Sequence, residues 1–525
     1  MLLSNKIKNF KNVINFENSK RGDYGNLNYN PVFKSSAIFF AIFNSDTNTK
    51  ISFLNYWKIK NNNKNISCQL TLRKNDGKKI LRRFFKVDQN TYILSLKTLL
   101  EKNISNKSFL GTIEIELFSS LDLKYAFPAI HAFYETSDGV SLVHSNQRVF
   151  DNLKDNENNQ SINQIQTGFD IYFDSENKSF ITAINGPLEL KNKKLNVSFY
   201  NFEGKKIFKS IKFKKINPYE LLYVDFKEFK FLKKFLNNQR GYCKLELPTR
   251  NIFNRVLVGT FSNKKNYLTT THSYFDCSNT KDYVNLKKID QNERGCFLPF
   301  NLIRNIDLEI VIYPIFSKSN LIFSLEKYDK NGNRTIIKNR ILQISKNFKE
   351  SKIIQISKFI KDKKNIDQYV YCLNVTSKDF LVPSRLTFGF NYKNKTIGSN
   401  ISDSMIINHG KSLKNRGFYW GPAFNSSKIN TVITLSNFDV KKNIKEKHSI
   451  NLKIYSKKNL IVNKKFKMNS PQAVNIHVNK FTSAIVDKSN ENEILWFTIE
   501  SNFKSIICKH VHISKCGHIS ADHSF

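Results

Sequence analysis

The sequence has little of what marks several common classes of protein. Its 525 residues include 3 methionines and 3 tryptophans, and no apolar run approaches the roughly 18 residues of a membrane-spanning helix. No G-x-G-x-x-G, G-x-S-x-G or complete phosphate-binding loop occurs among its 18 glycines. The motifs of nucleotide binding and of the α/β-hydrolase nucleophile are therefore missing, and no membrane span is expected.

Acidic residues are about half as frequent as basic ones. The chain has 43 Asp and Glu against 84 Lys and Arg, which gives a formal net charge of +41. Only 14 of the basic residues are arginine, the side chain that forks onto phosphates and guanine edges. The lysines are spread through the chain, and an A/T-rich coding sequence would favour lysine, asparagine, isoleucine and phenylalanine together. We interpret most of the positive charge as lysines on solvated strand faces. We expect nonspecific polyanion binding at low salt, which weakens at physiological salt.

Cysteine is sparse and shows no paired pattern. The seven cysteines are an odd number, form no C-x-x-C pair and lie mostly in apolar runs such as Tyr242-Cys243-Lys244-Leu245. This usage is typical of buried free thiols in a reducing compartment. The first residues, Met1-Leu2-Leu3-Ser4-Asn5-Lys6, lack the apolar stretch of a secretory signal peptide. The cytoplasm is therefore the favoured location, and export by a leaderless route is the alternative.

What the sequence does contain is an internal repeat. A turn signal recurs as Asn75-Asp76-Gly77, Glu203-Gly204 and Asn331-Gly332, and these glycines are 127 and 128 residues apart. A fourth copy, at 455–460, has lost its glycine. Asp-Gly and Asn-Gly pairs favour tight hairpins because both residues tolerate positive φ. The period is too long for a solenoid, so each copy is predicted to be a complete small domain with a core of its own.

Each copy contains seven or eight short strand-like segments separated by turn signals. Alternating apolar and polar residues indicate strands with one buried face, as in Leu70-Thr71-Leu72 and Val197-Ser198-Phe199. The chain is therefore predicted to be all-β, with four tandem immunoglobulin-like β-sandwich repeats of about 115–127 residues behind a short polar leader. The predicted boundaries are a flexible leader at 1–34 and repeats at 35–150, 165–278, 292–412 and 416–525.

A histidine closes every repeat: His144, His272, His409 and His523. The imidazole offers one donor and one acceptor, so a structural role is favoured, in which each ring bonds the last strand to its domain or to the next linker. The alternative is four equivalent ligand or metal contacts, one in each repeat. Copies that stay apart could not form a catalytic site on their own.

The C-terminal segment holds the densest group of metal-ligating residues. Cys508, His510 and His512 lie two apart and would share one face of a strand, with Val511 and Ile513 on the opposite, core-facing side. Thiolate and imidazole are ligands that zinc prefers. A zinc site here is the alternative to an edge strand with incidental histidines. No other cofactor is expected, and no catalytic residue is assigned.

These patterns favour a non-enzymatic, multivalent binding or scaffolding protein, because repeated sandwiches present loops and strand faces at regular intervals. A polysaccharide or an acidic protein is the expected class of partner. One alternative is a metal-dependent enzyme with its site near the C-terminal histidines or between repeats three and four. The other is a nonspecific nucleic-acid binder. The sequence alone leaves the ligand and the oligomeric state open.

Overall fold

A computed structural model of the chain describes residues 32–525 except 102–107, 126–127, 145–146, 151–164, 263–265, 276–282, 289–294, 316, 363, 384–385, 395–398, 405, 408–416, 439–446, 483–492 and 503–505. His409 and residues 1–31 of the predicted leader lie outside this described part. The strands and helices fall into four successive units, which follow the four repeats of the sequence.

Units one and two account for the first half of the chain. The elements of unit one are β1 (Lys34–Phe43), β2 (Asn48–Leu54), α1 (Tyr56–Asn61), β3 (Ile66–Lys74), β4 (Lys79–Lys86), β5 (Thr91–Ser95), α2 (Leu96–Glu101), β6 (Phe109–Ser119), β7 (Ile130–Glu135), β8 (Val140–Val143) and β9 (Arg148–Val149). Those of unit two are β10 (Ile165–Ile171), β11 (Asn177–Ile184), β12 (Leu190–Tyr200), β13 (Lys206–Ile216), β14 (Leu221–Asp225), a 3-10 turn (Phe226–Glu228), α3 (Phe231–Leu236), β15 (Gly241–Glu246), β16 (Ile252–Phe253), β17 (Leu257–Ser262), β18 (Tyr267–His272) and β19 (Tyr274–Phe275).

Units three and four follow the same plan. The elements of unit three are β20 (Tyr283–Asn285), a 3-10 turn (Leu286–Lys288), β21 (Cys296–Phe300), β22 (Asp307–Ile312), β23 (Leu321–Tyr328), β24 (Arg334–Ile344), β25 (Lys352–Gln355), two further 3-10 turns (Ile356–Lys358 and Ile366–Gln368), β26 (Val370–Ser377), β27 (Leu381–Pro383), β28 (Thr387–Lys393), β29 (Ser399–Ser404) and β30 (Ile406–Ile407). Those of unit four are β31 (Gly417–Asn425), β32 (Ile429–Asn437), β33 (His448–Tyr455), β34 (Leu460–Met468), β35 (Gln472–His477), α4 (Asn479–Thr482), β36 (Glu493–Ser501), β37 (Ile506–Ser514) and β38 (Ile519–His523).

Every unit is a sandwich of two sheets with the same strand order. The first sheets share the order β4-β3-β6-β1, β13-β12-β15-β10, β24-β23-β26-β21 and β34-β33-β36-β31, and β19 and β30 add a fifth strand beside β10 and β21. The second sheets run β5-β2-β7-β8, β14-β11-β17-β18, β25-β22-β28-β29 and β35-β32-β37-β38. Neighbouring strands are antiparallel, and in unit one the two sheets join where Phe43 pairs with Asn48. The predicted fold class, four tandem β-sandwich repeats, is confirmed. None of the helices in the described part of the chain is long and apolar enough to span a bilayer.

The hydrophobic cores continue across the boundaries between units. Inside a unit, period-two burial fills the space between the sheets, as with Leu321 and Phe323 in β23. The core of unit one, however, extends into units two and four through Phe180 and Trp496. Each buried side chain of this size contributes about 1.5–3 kcal/mol relative to exposure. The units therefore stabilise one another, and independent folding of each repeat stays a prediction.

The recurring turns of the sequence lie on the next unit. The turn after β3 meets the start of β14, where the Leu221 amide donates to the Asn75 carbonyl (2.8 Å). The turn after β12 meets the segment before β25, where the Ser351 amide donates to the Phe202 carbonyl (3.1 Å). These two contacts join unit one to unit two and unit two to unit three at equivalent places.

The other two turns complete a ring. The turn after β23 accepts from Asn469 Nδ2 of unit four through the Lys330 carbonyl (3.2 Å). The turn after β33 returns to unit one, where the Asn90 amide donates to the Lys457 carbonyl (3.0 Å) and Asn90 Nδ2 to the Lys458 carbonyl (2.9 Å). Each turn thus contacts the loop before the fifth strand of the following unit, and the last unit contacts the first.

The interfaces differ in chemistry although the turns are shared. Between units two and three, Arg240 forms an ion pair with Glu309, and within unit two it also pairs with Asp170 (3.4 Å). The Tyr313 hydroxyl donates to the same Asp170 carboxylate (2.9 Å). These charged groups are buried, so each one depends on its partners for the solvation that it has lost.

The interface that closes the ring, between units four and one, is aromatic. The rings of Tyr56 and Trp420 lie 4.8 Å apart between centroids. The indole of Trp496 is fully buried, and its Nε1 donates to Ser52 Oγ across the interface (2.9 Å). A buried indole needs such an acceptor, because an unpaired N–H would cost free energy.

Candidate functional site

The last strands of the four units surround the centre of the ring. β8, β18, β29 and β38 each form an edge of the second sheet in their unit, and each packs against two of the others in that cyclic order. We call them the hub strands. Between β8 and β18, the hydroxyls of Ser141 and Thr270 hydrogen-bond to each other (2.6 Å). The ring is thus closed at its centre as well as through its turns.

Three of the four repeat-ending histidines meet at the end of the hub strands. The ring of His144 lies 4.5 Å from the rings of both His272 and His523, centroid to centroid. One ligand nitrogen from each of the three lies within 4.8 Å of the others. We call His144, His272 and His523 the hub histidines. The sequence analysis considered one contact in each repeat, whereas the structure gathers residues of units one, two and four at one place.

Each hub histidine uses its Nδ1 atom in the same way, next to an oxygen that can only accept. The pairs are His144 with Asp522 Oδ2 (2.6 Å), His272 with the Ser273 carbonyl (2.8 Å) and His523 with the Ser524 carbonyl (3.3 Å). Carboxylate and carbonyl oxygens offer no proton, so Nδ1 carries the hydrogen and donates in all three rings. Nε2 then carries the lone pair in each of the three rings.

Burial keeps the hub in a defined charge state. Desolvation lowers the pKa of His144 to about 4, against the opposing effect of the Asp522 carboxylate. Desolvation also holds the pKa of His272 well below its usual value, and Arg255 adds to this shift. Burial alone would raise the pKa of Asp522, but His144 and His131 outweigh it and hold that pKa well below its usual range. At neutral pH His144 and His272 are therefore neutral imidazoles beside the Asp522 carboxylate.

Two residues beside the hub histidines, His131 and Asp522, were not predicted from the sequence as site residues. His131 in β7 is fully buried, and its Nε2 lies 3.5 Å from Asp522 Oδ2, at the outer limit of a hydrogen bond. Asp522 thus lies between His131 and His144, both from unit one, although 378 positions separate it from His144. The one local signal was that Asp522 precedes His523 in the sequence.

The structure does not bring the ligand atoms of Cys508, His510 and His512 together. His510 Nδ1 and His512 Nε2 share a hydrogen bond (2.9 Å), His512 Nδ1 contacts Thr431 Oγ1 (3.0 Å), and Ser524 Oγ donates to Cys508 Sγ (3.1 Å). Among the described residues, these three form no metal-type group. Burial also raises the pKa of the Cys508 thiol to about 12, so the thiolate that zinc needs is disfavoured.

The strand that carries these residues is also not the edge strand that the sequence suggested. β37 pairs with β32 on one side and with β38 on the other. Both of its faces are covered: Cys508 belongs to the core of unit four, and Val511 to the apolar cluster shared with unit three. Burial on both faces explains why the local alternation of residues was misleading.

The interface between units three and four, where an enzyme site was the alternative, is filled by mutually bonded amides. Asn301 Nδ2 donates to the Leu435 carbonyl and to Asn475 Oδ1 (3.0 Å each), and Ser436 donates to Asn301. Asn475 Nδ2 donates in turn to the Leu302 carbonyl (2.8 Å). None of these groups titrates, so this network gives no support to acid–base chemistry at the interface.

A second candidate surface is the fourth strand of each unit. β4, β13, β24 and β34 each pair with one strand only and form the open edges of the first sheets. They carry four, five, three and three Lys or Arg residues and no Asp or Glu. We call them the basic edge strands. In β13 the exposed lysines are Lys206, Lys209, Lys212, Lys214 and Lys215.

Large apolar side chains are exposed among these charges. Phe84 is 66% exposed, Phe208 is 54% exposed and Ile336 is 52% exposed. The Lys206 ammonium lies 6.0 Å from the centre of the Phe208 ring. The lysines were interpreted from the sequence as spread through each repeat. A run of basic residues directly follows each recurring turn, and this run could have predicted the basic edge strand.

Comparisons with known proteins assign no family to the chain. No protein-family model and no curated protein matches it. Among solved structures it is similar to a BSP domain of a biofilm-associated protein (8% identity, 94% of this chain, 96% of the other, TM-score 0.15). It is also similar to a tetra-tandem repeat in the extending region of a large adhesion protein (9% identity, 88% and 91%, TM-score 0.10). A third similarity, to Bacteroides uniformis β-glucuronidase 2, covers 46% of this chain and 27% of that one (8% identity, TM-score 0.13). TM-scores this low carry no argument about function.

Proposed function

We propose that this protein is a non-enzymatic, ring-shaped binding protein that holds an acidic polysaccharide along its basic edge strands. The observation that carries the proposal is that every unit presents an exposed strand with several cations and no anion at an equivalent edge. This proposal keeps the polysaccharide, one of the two partner classes that the sequence favoured, and arranges the binding edges around a closed ring.

The charge pattern of these strands suits a polymer with repeated negative groups. Lysine ammonium groups act as point charges and do not demand the planar, two-pronged geometry that arginine provides. A polyanion laid along β13 would neutralise several lysines together and release its counterions, which is the main source of affinity in such complexes. The exposed rings of Phe84 and Phe208 add apolar contact area beside the charges.

The ring supports binding at several edges by one polymer. Each edge strand alone offers a few exposed charges in water, where single ion pairs contribute little. Because the four units are held together by shared cores and docked turns, binding at one edge raises the effective concentration of the polymer at the next. Affinity is therefore expected to rise steeply with polymer length.

Lysine on an open edge has a second use, which the test must separate from binding. Charged edge strands prevent two sheets from pairing edge to edge and aggregating. That protective role needs the charge but predicts no particular affinity for a polymer. A change of charge at the edge and an equal change elsewhere distinguish the two roles.

The test is a charge reversal within β13, Lys209, Lys212 and Lys214→Glu, measured with size-defined heparin as the probe. The control is the same change at three exposed lysines of a unit-three loop segment, Lys358, Lys361 and Lys364→Glu. At 50 mM salt we expect the β13 variant to bind more than about 10-fold more weakly and the control about 3-fold or less, since both lose the same net charge. Equal losses in the two variants would contradict the proposal.

The partner class is tested with the unmodified protein. Heparin, polyglutamate and duplex DNA are compared at equal charge concentration and at two salt concentrations. We expect heparin to bind most tightly and all three affinities to fall with salt. Tighter binding of polyglutamate would assign the edge strands to an acidic protein, and tighter binding of DNA would assign them to nucleic acid.

A further inference from the structure

We propose that the hub histidines bind one transition-metal ion, Zn²⁺ by preference, which ties units one, two and four together at the centre of the ring. The site differs from the C-terminal zinc site that the sequence suggested, because its ligands come from three units. It is independent of the basic edge strands, which lie at other edges of the sandwiches.

The spacing of the ligand nitrogens fits a single ion after small side-chain rotations. One nitrogen each from His144, His272 and His523 lies within 4.8 Å of the other two. Tetrahedral zinc binds imidazole nitrogen at 2.0–2.1 Å, which places two such ligands about 3.4 Å apart. Each imidazole is carried at the end of a hub strand, and the packing of these strands against one another holds the three rings close.

The hydrogen bonds at Nδ1 are those that support metal-bound histidines. A ligating histidine usually donates its other N–H to a carboxylate or to a backbone carbonyl, which orients the ring and raises the basicity of the ligand. His144 does so to Asp522, while His272 and His523 do so to the carbonyls of the residues that follow them. In all three rings the hydrogen is therefore on Nδ1 and the lone pair that could bind a metal is on Nε2.

A purely structural role leaves part of this arrangement without a reason. Hydrogen bonding at Nδ1 explains one nitrogen in each ring but not why three rings from three units converge, with His144 and His272 buried and His523 partly exposed. A cation shared by the three imidazoles would account for that convergence. The Asp522 carboxylate contributes negative charge beside His144, and the Arg255 cation opposes it near His144 and His272. Because these two charges oppose each other, the ion would be held by coordination to the imidazoles rather than by the net charge of the site.

The ligand set indicates which metals fit. Imidazole without thiolate suits zinc, copper and nickel, and disfavours calcium and magnesium, which require several oxygen ligands. Zinc imposes the weakest geometric preference of the first group, so it is the expected occupant of a site assembled from three units.

The first experiment uses the unmodified full-length protein, stripped with a chelator and titrated with Zn²⁺. We expect one ion per chain by elemental analysis and a higher melting temperature when zinc is present, since a ligand that binds only the folded state stabilises it. Replacement by Co²⁺ should give a visible spectrum of nitrogen and oxygen ligands. A thiolate charge-transfer band would instead place the metal at Cys508, and the absence of stoichiometric binding would overturn the proposal.

The second experiment assigns the ligands. His272→Ala and His523→Ala should each weaken zinc binding by more than about 100-fold, beyond the effect of losing a supporting hydrogen bond. Asp522→Asn should weaken it by about 10- to 100-fold, because it alters only the partner of His144. The control is His477→Ala, a half-buried histidine in β35 outside the hub, which should bind zinc as the unmodified protein does. Unchanged zinc affinity in folded His272→Ala and His523→Ala proteins would exclude the hub as the site.

Discussion

The hub strands and the basic edge strands belong to the same sandwiches, yet the basic side chains are buried at the hub strands and exposed on the edge strands. At the ends of the hub strands, desolvation lowers the pKa of His144, after β8, and of His518, before β38, to about 4, so these rings are neutral. On the edge strands the lysines are exposed. The repeat places one strand of each kind in every unit; the imidazole has a lower ordinary pKa than the lysine ammonium, and burial lowers it further.

The two regions also differ in the sequence separation of the contacts that stabilise them. Hub residues depend on partners from distant parts of the chain, such as Asp522 beside His144. Basic edge strands depend on one neighbouring strand in a local hairpin, as β13 does on β12. We therefore expect substitutions to be costly toward the interior of the ring and nearly neutral at the edge strands, and four predictions test that contrast.

The largest effect is expected for Trp496→Ala at the interface that closes the ring. The indole is fully buried, donates to Ser52 and lies 5.5 Å from the His131 ring. Its removal should lower the free energy of unfolding by about 3–5 kcal/mol, because a large cavity remains. Chemical denaturation measures this loss. The matched edge variant, Phe84→Ala, should cost less than about 0.5 kcal/mol, and similar losses in the two variants would break the comparison.

The docked turns should give the next largest effect. Gly77 and Gly332 both have positive φ, so alanine costs about 1 kcal/mol of backbone strain at either position. At Gly77 the new methyl would also collide with the Pro218 carbonyl of unit two. At Gly332 its nearest neighbour would be the Pro471 ring at 3.6 Å, an ordinary contact.

We therefore expect Gly77→Ala to lower the free energy of unfolding by about 1–3 kcal/mol more than Gly332→Ala does, the usual range for overpacking. Thermal and chemical denaturation of the two variants, side by side, measure the difference. Equal losses in the free energy of unfolding for the two variants would show that the turn of unit one does not pack against unit two.

The buried His518 predicts a pH dependence for the hub side alone. Its ring packs on Tyr267 at 4.6 Å, and desolvation lowers its pKa from the usual 6.5 to about 4. Between these two values the unfolded chain binds a proton that the folded chain does not, so stability falls as the pH falls from 6.5 towards 4. The expected slope from this one residue is about 1.4 kcal/mol per pH unit.

His518→Gln removes the titrating group and should make the fall in stability with decreasing pH shallower by that amount. Ile336→Thr, on a basic edge strand, should leave the slope unchanged. Denaturation curves at several pH values between 4 and 7 compare the three proteins. A slope that is identical in His518→Gln and the unmodified protein would mean that His518 is protonated in the folded state.

The smallest effect is expected for Ile336→Thr itself, measured at neutral pH. Ile336 is 52% exposed in β24, and threonine retains the β-branching that strands favour. The free energy of unfolding should change by less than about 0.5 kcal/mol. A loss above 1 kcal/mol would show that the edge is covered, by another copy of the chain or otherwise, in solution.

Sequence reasoning succeeded where short-range rules apply. The turn glycines Gly77, Gly204 and Gly332 all adopt positive φ, as their Asp-Gly, Glu-Gly and Asn-Gly settings indicate. The alternation in β12 correctly predicted a strand with one face toward a core, whereas Thr71 and Arg73 of β3 are buried on the opposite face as well. The C-terminal strand misled because β37 is buried on both faces, and there alternation no longer distinguishes core from surface.

What the sequence by itself determined is therefore the repeat, the sandwich class and the position of each turn, since all of these follow from residues close together in the chain. Only the tertiary structure decided that the four units close into a ring and that His144, His272 and His523 meet beside Asp522. The relative placement of the units follows from packing at their interfaces, and those contacts, Arg240 with Glu309 in one and Trp496 with Ser52 in another, differ from unit to unit. A contact that does not repeat leaves no period to detect, whereas the turns and strands repeat four times.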